Sequence, residues 1–176
     1  MAKVAIIIGA PNEQSRLTGL VQYTLDLLTK NNISYEIIKV FELPAEDLIF
    51  ANFNSEAIKK TSKKIEQADG VLIFTPVYKA AYSGILKTFL DLLPQKGLEN
   101  KVVLPLVIGG SFGHLLSIEY ALNPVLSALG ATHIIKGVYT MDKEVERVDH
   151  NQFALKQEIR SRLSDSVGKF KQILIG

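Results

Sequence analysis

Ser15, Arg16 and Thr18 stand at the start of a helical pattern, a few residues beyond the apolar run Val4 to Ile8 and Gly9. A loop between a buried strand and a helix presents free backbone N–H groups and the positive end of the helix dipole, which together suit an anion such as phosphate. Two hydroxyls and a guanidinium add donors of the kind a phosphate accepts. Two further stretches come after apolar runs in the same way. Thr75-Pro76-Val77-Tyr78-Lys79 is rigid, apolar and aromatic. Gly109-Gly110-Ser111-Phe112-Gly113 is rich in glycine, which allows a main chain to approach a flat ligand closely.

The elements that position these loops can be read from periodicity. Lys3–Ile8, Gly70–Thr75 and Lys101–Ile108 are continuous and apolar, as strands buried on both faces are. Ile33–Val40 alternates in part, as an outer strand does, and His133–Thr140 is the fifth strand. Between them, Leu17, Leu20, Val21, Thr24, Leu25 and Leu28 recur at helical spacing. Ser55 is placed to cap a helix through Gln67, and Ser83 one that Pro94 stops. A further helix runs from about His114 to Leu129, and the last from Gln152 to Leu174. Phe41–Asn54 reads as irregular and Met141–Asn151 as a charged surface loop. Pro105 inside the fourth strand calls for a bulge or a locally unpaired N–H side.

Alternating strands and helices define a five-stranded parallel sheet of order 2-1-3-4-5 with helices on both faces, an α/β, flavodoxin-like arrangement. Ligands of such sheets sit outside the carboxyl ends of the strands, where the strand order reverses. The three unusual loops, after strands 1, 3 and 4, converge there. Phosphate donors at one end and a planar slot at the other describe a site for flavin mononucleotide (FMN). The dinucleotide fingerprint G-x-G-x-x-G is absent, as is a Walker loop, and strands 1 and 3 do not end in carboxylates as a phosphoacceptor domain would require.

Composition excludes other classes. The chain has 176 residues, 47% hydrophobic and 22% charged, with a net charge of +2. That length reads as a single domain, residues 1–176. Near-neutral charge gives no reason to expect nucleic acid or an anionic membrane as partner. No apolar run is long enough to span a bilayer, so a cytoplasmic location is expected. Cysteine is absent, which removes thiol catalysis and thiolate metal sites, and the three histidines lack metal-ligand spacing.

The chain resembles the NADPH-dependent FMN reductase family, in particular the reductase components of two-component alkanesulfonate monooxygenase systems. The resemblance is carried by Thr75 to Gly84 with Leu86-Lys87-Thr88, and by Asp91-Leu92-Leu93-Pro94 and Lys101 to Leu106. Gly109-Gly110, His114-Leu115-Leu116, Tyr120-Ala121-Leu122 and Pro124 to Leu129 continue it. It is dense from Ala68 to Val138, recognisable in Gly9, Pro11, Ser15 and Arg16, and thin after Thr140.

The resemblance implies that Ser15, Arg16 and Thr18 hold the FMN phosphate. It implies that Pro76, Val77, Tyr78 and Lys79 border the ring, with Gly109, Gly110 and Ser111 closing it. Ala10 and Leu17 replace residues that often carry hydroxyls in relatives, which suits an enzyme that releases its flavin. The expected activity is hydride transfer from NADPH to FMN, with reduced flavin passed to a partner monooxygenase and no side-chain acid or base required. The sequence does not separate NADPH from NADH. A flavodoxin-like electron carrier and a quinone or azo reductase with tightly bound FMN are the alternatives.

Pro124 removes the amide partner of the Tyr120 carbonyl four residues earlier. A widened π-type turn and a simple proline kink both absorb such a defect. In related reductases a tyrosine inserted in this helix is linked to flavin exchange and to the oligomer interface. A homo-oligomer, dimer or tetramer, is expected.

Overall fold

In the computed structural model, which describes residues 2–176, the apolar runs form the centre of a twisted sheet. The strands are β1 (Lys3–Ile8), β2 (Ser34–Lys39), β3 (Gly70–Tyr78), β4 (Ala81–Tyr82), β5 (Val102–Gly109), β6 (His133–Ile134) and β7 (Val138–Met141). The main order is β2-β1-β3-β5-β6, with β7 also on β5 and every one of these pairs parallel. The expected order 2-1-3-4-5 is therefore the one adopted, β5 being its fourth strand and β6 with β7 its fifth.

The fifth strand is broken for a reason that lies in its neighbour. Val103 pairs with Ile134 and Leu106 with Val138, so three steps along β5 face four along the outer strand. The extra residue falls beside Pro105, which has no N–H to give. The anomaly is thus a bulge carried by the edge strand, and β5 continues through Pro105 in register with Ile73.

Successive residues of each strand face opposite sides, and the two sides are two cores. On one, Val4, Ile6 and Ile8 meet Leu17, Leu20 and Val21 of α1 (Leu17–Lys30) and Ile159, Leu163, Val167 and Phe170 of the C-terminal helix, Gln157–Ile175. On the other, Ala5 and Ile7 meet three further helices. α3 (Glu56–Glu66) supplies Ile58 and Ile65, α4 (Gly84–Leu90) Leu86 and Phe89, and α5 (Asn123–Ala128) Leu126. Ser55 and Ser83 cap α3 and α4, their hydroxyls accepting from the N–H groups of Ile58 and Leu86 at 3.4 and 3.2 Å. Lys101 is buried at the entry to β5, where its ammonium donates to the carbonyls of Glu66 and Ala68.

Three segments depart from the sequence-based expectation. The irregular stretch after β2 contains a short helix, α2 (Ala45–Ile49), after a 3-10 turn at Val40–Glu42. The charged segment expected as a loop is instead a 3-10 turn, Asp142–Glu144, leading into a hairpin of β8 (Val145–Asp149) and β9 (Gln152–Leu155). The final helix, α6, therefore begins at Gln157 and not at Gln152. The hairpin was hidden because its exposed faces are charged and its apolar residues are few. It seats on α1 at Gly19, where a Cβ would lie 2.7 Å from that of Phe153 and 3.1 Å from Val145. Glycine at this helical position is what lets the hairpin close on the helix.

Candidate functional site

The three loops do meet. A crevice of about 400 Å3 at the carboxyl ends of β1, β3 and β5 is lined by loop residues from Pro11 to Arg16, by Pro76, Val77 and Tyr78, and by Ile108, Gly109 and Gly110. A larger open groove of about 850 Å3 lies between α3 and the segment after α4 and takes no residue from these loops.

Loops one and two are stitched together by a buried polar relay. The Ser83 hydroxyl donates to the carbonyl of Gly9, at the end of β1. The Ser83 N–H donates to Thr75 Oγ1 at 3.0 Å, and that hydroxyl donates to the Pro76 carbonyl at 2.9 Å. Thr75 and Ser83 are fully buried, so their polar groups find partners only inside the protein, in this relay and in the Leu86 N–H that Ser83 caps. The third loop is held from β7: Tyr139 Oη donates to the Ser111 carbonyl at 2.5 Å. Burial, with the Asp142 carboxylate second, pushes the Tyr139 phenol above its ordinary range, so it stays a donor at neutral pH. Gly109 packs directly on this phenol, and a Cβ there would strike it and lie 3.2 Å from Val77. A main chain without a side chain at that point is what leaves the slot between loops two and three open.

Arg16 directs its guanidinium across the mouth of the first loop, with Nε donating to the Val145 carbonyl at 3.0 Å. The terminal amino groups are left for the crevice. Ser15 Oγ accepts from the Leu17 N–H, and its own proton remains to be donated. The Thr18 hydroxyl is turned back into the loop, donating to the Glu13 carbonyl at 2.7 Å, and does not line the crevice.

Pro76, Val77 and Tyr78 are the end of β3, which folds back through Lys79-Ala80 to pair antiparallel with β4. Lys79 and Ala80 both have positive φ, 50° and 66°, as a tight type I′ hairpin demands. Lys79 thus occupies the tip of the hairpin, outside the crevice lining, as Ser111 also does. Ser111 instead caps the turn Phe112–His114, its hydroxyl accepting from the Gly113 N–H at 3.2 Å. His114 closes that turn and does not line the crevice.

Tyr120 lies in a π-helical segment, Ile118–Leu122, directly before α5. The widened turn, and not a simple kink, is what absorbs the missing amide of Pro124. The Asn123 N–H reaches back five residues to the Ile118 carbonyl. Tyr120 itself is 79% exposed and lies away from the crevice. β4 packs beside this segment, so the hairpin that borders the crevice touches the widened turn.

Two lining residues come from outside the three loops and escaped the sequence reading. Asp142 comes from the turn after β7, and Arg147 from β8. Arg147 stacks on the Phe153 ring, 4.9 Å from its centroid, and donates to the Gln14 carbonyl in the first loop. Neither carries a local signal, because both arrive through a hairpin that the charge pattern concealed. Among the described residues no cluster of histidine, aspartate and glutamate could hold a metal, and no helix is long and apolar enough to cross a membrane.

A parallel sheet of this order, with three post-strand loops closing on one crevice, defines a flavodoxin-like α/β protein. The family model for NADPH-dependent FMN reductase matches residues 2–146, and the chain belongs to that family of oxidoreductases. Over 173 residues it is 42% identical to FMN reductase (NADPH) of Escherichia coli, covering 98% of this chain and 90% of that one. Its identity to FMN reductase (NADPH) of Pseudomonas putida is 40% over 168 residues, 95% of this chain and 85% of that one. Among solved structures, the apo form of the NADH:FMN oxidoreductase EMOB superposes with a TM-score of 0.86 at 29% identity. That match covers 98% of this chain and 90% of the other.

Proposed function

We propose that the chain, acting as one domain, catalyses reduction of free FMN by NADPH in the crevice at the carboxyl ends of β1, β3 and β5. The observation that carries this reading is the convergence of the three loops on a single crevice, held there by Ser83 and Tyr139. The residues fit the group. Ser15 and Arg16 offer a hydroxyl and charged amino groups for a phosphate, with Thr18 keeping the loop in shape. Pro76, Val77 and Tyr78 offer a rigid apolar wall, with Lys79 at its outer tip. Gly109 and Gly110 offer bare main chain, with Ser111 fixing its course.

When bound, FMN supplies the redox chemistry, accepting hydride from NADPH. The protein's part is to orient the ring against the β3 wall and to place backbone N–H groups of the third loop where negative charge develops. No lining side chain needs to act as acid or base. The first loop holds its phosphate donors in an exposed position, which favours exchange with solvent over permanent retention.

In the same reading, reduced FMN leaves for a partner monooxygenase in the cytoplasm. Tyr120 serves flavin exchange and a contact between subunits of a homo-oligomer. Support comes from the likeness to two-component reductases and from the exposed Tyr120 on a widened turn.

The test is NADPH oxidation by purified protein against increasing free FMN, with its flavin content recorded first. Saturable dependence on added FMN is expected. A yellow protein whose rate ignores free FMN but rises with a quinone would overturn the reading in favour of a bound-flavin reductase.

A further inference from the structure

Behind the β8–β9 hairpin lies a second cavity of about 650 Å3. Arg16, Asp142 and Arg147 line both it and the flavin crevice, so the two spaces adjoin. Lys143, Glu146 and Lys156 line only the second. Four cations thus face two carboxylates around one hollow. Among the described residues, none of the four is engaged in an ion pair, whereas Lys3, Lys39, Lys59, Lys87 and Lys96 all are. Lys156 also stands immediately before the 19-residue helix α6, whose positive dipole end adds to the same potential. A concentration of unpaired positive charge in a concave, part-apolar space is a site for a polyanion.

We propose that this cavity takes the phosphate-bearing adenosine end of NADPH, with Lys143 and Lys156 reading the 2′-phosphate. The inference rests on the reading of the chain as an NADPH-dependent reductase. NADPH differs from NADH by that one phosphate, so the groups that tell them apart must lie off the flavin's own phosphate loop. Lys143 and Lys156 meet this condition and Arg16 does not. An ammonium on a flexible stem suits a phosphate monoester, which presents charge in all directions. Lys156 also lies beyond residue 146, where the match to the family model ends.

The test uses the full chain and the double variant Lys143→Gln/Lys156→Gln. Both side chains are exposed, so the fold is not at stake. KM is measured for NADPH, NADH and FMN in turn, and 2′,5′-ADP and 5′-AMP are titrated calorimetrically at fixed ionic strength. The expected result is at least a tenfold rise in KM for NADPH with the values for NADH and FMN held. The affinity for 2′,5′-ADP should fall in parallel while that for 5′-AMP stays. An equal change for both nicotinamides, no change in either, or a change confined to FMN would overturn the inference while leaving the reductase activity standing. If the unaltered protein oxidises neither nicotinamide, the functional reading fails, and the titration still judges the cavity. Tight 2′,5′-ADP binding lost in the variant upholds it, and no binding to the unaltered protein refutes it.

Discussion

Arg147 on β8 donates a hydrogen bond to the carbonyl of Gln14, 133 positions earlier in the chain. Through this contact the C-terminal hairpin holds the first loop. Replacing Arg147 with glutamine should weaken FMN binding about tenfold, in keeping with the ~1.5–3 kcal/mol of a charged hydrogen bond. Riboflavin, which lacks the phosphate, should bind as before. Fluorescence titration of both flavins checks this, and equal losses for the two would argue for general damage to the crevice.

Ser83 joins the first two loops by donating to Gly9 and caps α4 by accepting from Leu86. Ser83→Ala leaves a buried carbonyl and a helix N–H without partners. The expected cost is about 2–4 kcal/mol, adding a lost cap to an unsatisfied buried group. Urea denaturation measures it, and a change under about 1 kcal/mol would show that the relay is not what holds the loops.

Tyr139 ties β7 to the third loop, and its phenol is held above its ordinary pKa of 10.0, chiefly by burial. A raised acid is one the folded state prefers neutral. Its contribution is therefore complete below about pH 10 and is lost as pH rises through the higher folded-state value. Tyr139→Phe should cost roughly 0.5–1.5 kcal/mol at about pH 8. The gap between the two proteins should close at more alkaline pH. A gap that stays constant from neutral pH upward would exclude titration of this phenol.

Ala80 holds φ at 66° in the hairpin tip beside the crevice. A left-handed conformation costs a non-glycine residue roughly 1–2 kcal/mol, of which glycine's extra chain entropy returns about 0.5–1. Ala80→Gly should therefore stabilise the protein by about 0.5–1 kcal/mol, read as a shifted urea midpoint. A stabilised variant with slower FMN turnover would show that the strained tip serves catalysis.

Deleting Tyr120 should return the π-helical segment to ordinary helical spacing and remove an exposed aromatic ring. The expected outcome is tighter flavin retention and poorer turnover on free FMN, together with a change in sedimentation if the ring meets another subunit. Unchanged retention after gel filtration would sink the exchange role.

Much of this architecture is local chemistry, and local chemistry is legible in a sequence. Runs such as Val4–Ile8 and Val71–Phe74, short and rich in β-branched residues, read as strands buried on both faces, and Ser55 and Ser83 are caps because a helical pattern begins within one turn of each. Pro124 determines that the Tyr120 carbonyl loses its partner, whatever the rest of the chain does. The parallel order then brings the loops after Ile8, Phe74 and Ile108 to one edge. Which hydroxyls and cations of those loops face the crevice was not legible. Thr18 turns back to Glu13, and Ser111 lies outside the lining with its hydroxyl capping the turn at Gly113, because rotamers answer to neighbours that periodicity does not register. The hairpin Val145–Leu155 was equally hidden. Its pairing partner and its seat at Gly19 are contacts between distant segments, and its strands are charged where they meet water. Tertiary structure alone therefore decided that Asp142 and Arg147 would reach the crevice and that Pro105 would meet a bulge in its neighbour. A residue's spacing fixes its face on a strand or helix, whereas long-range packing decides what that face will meet.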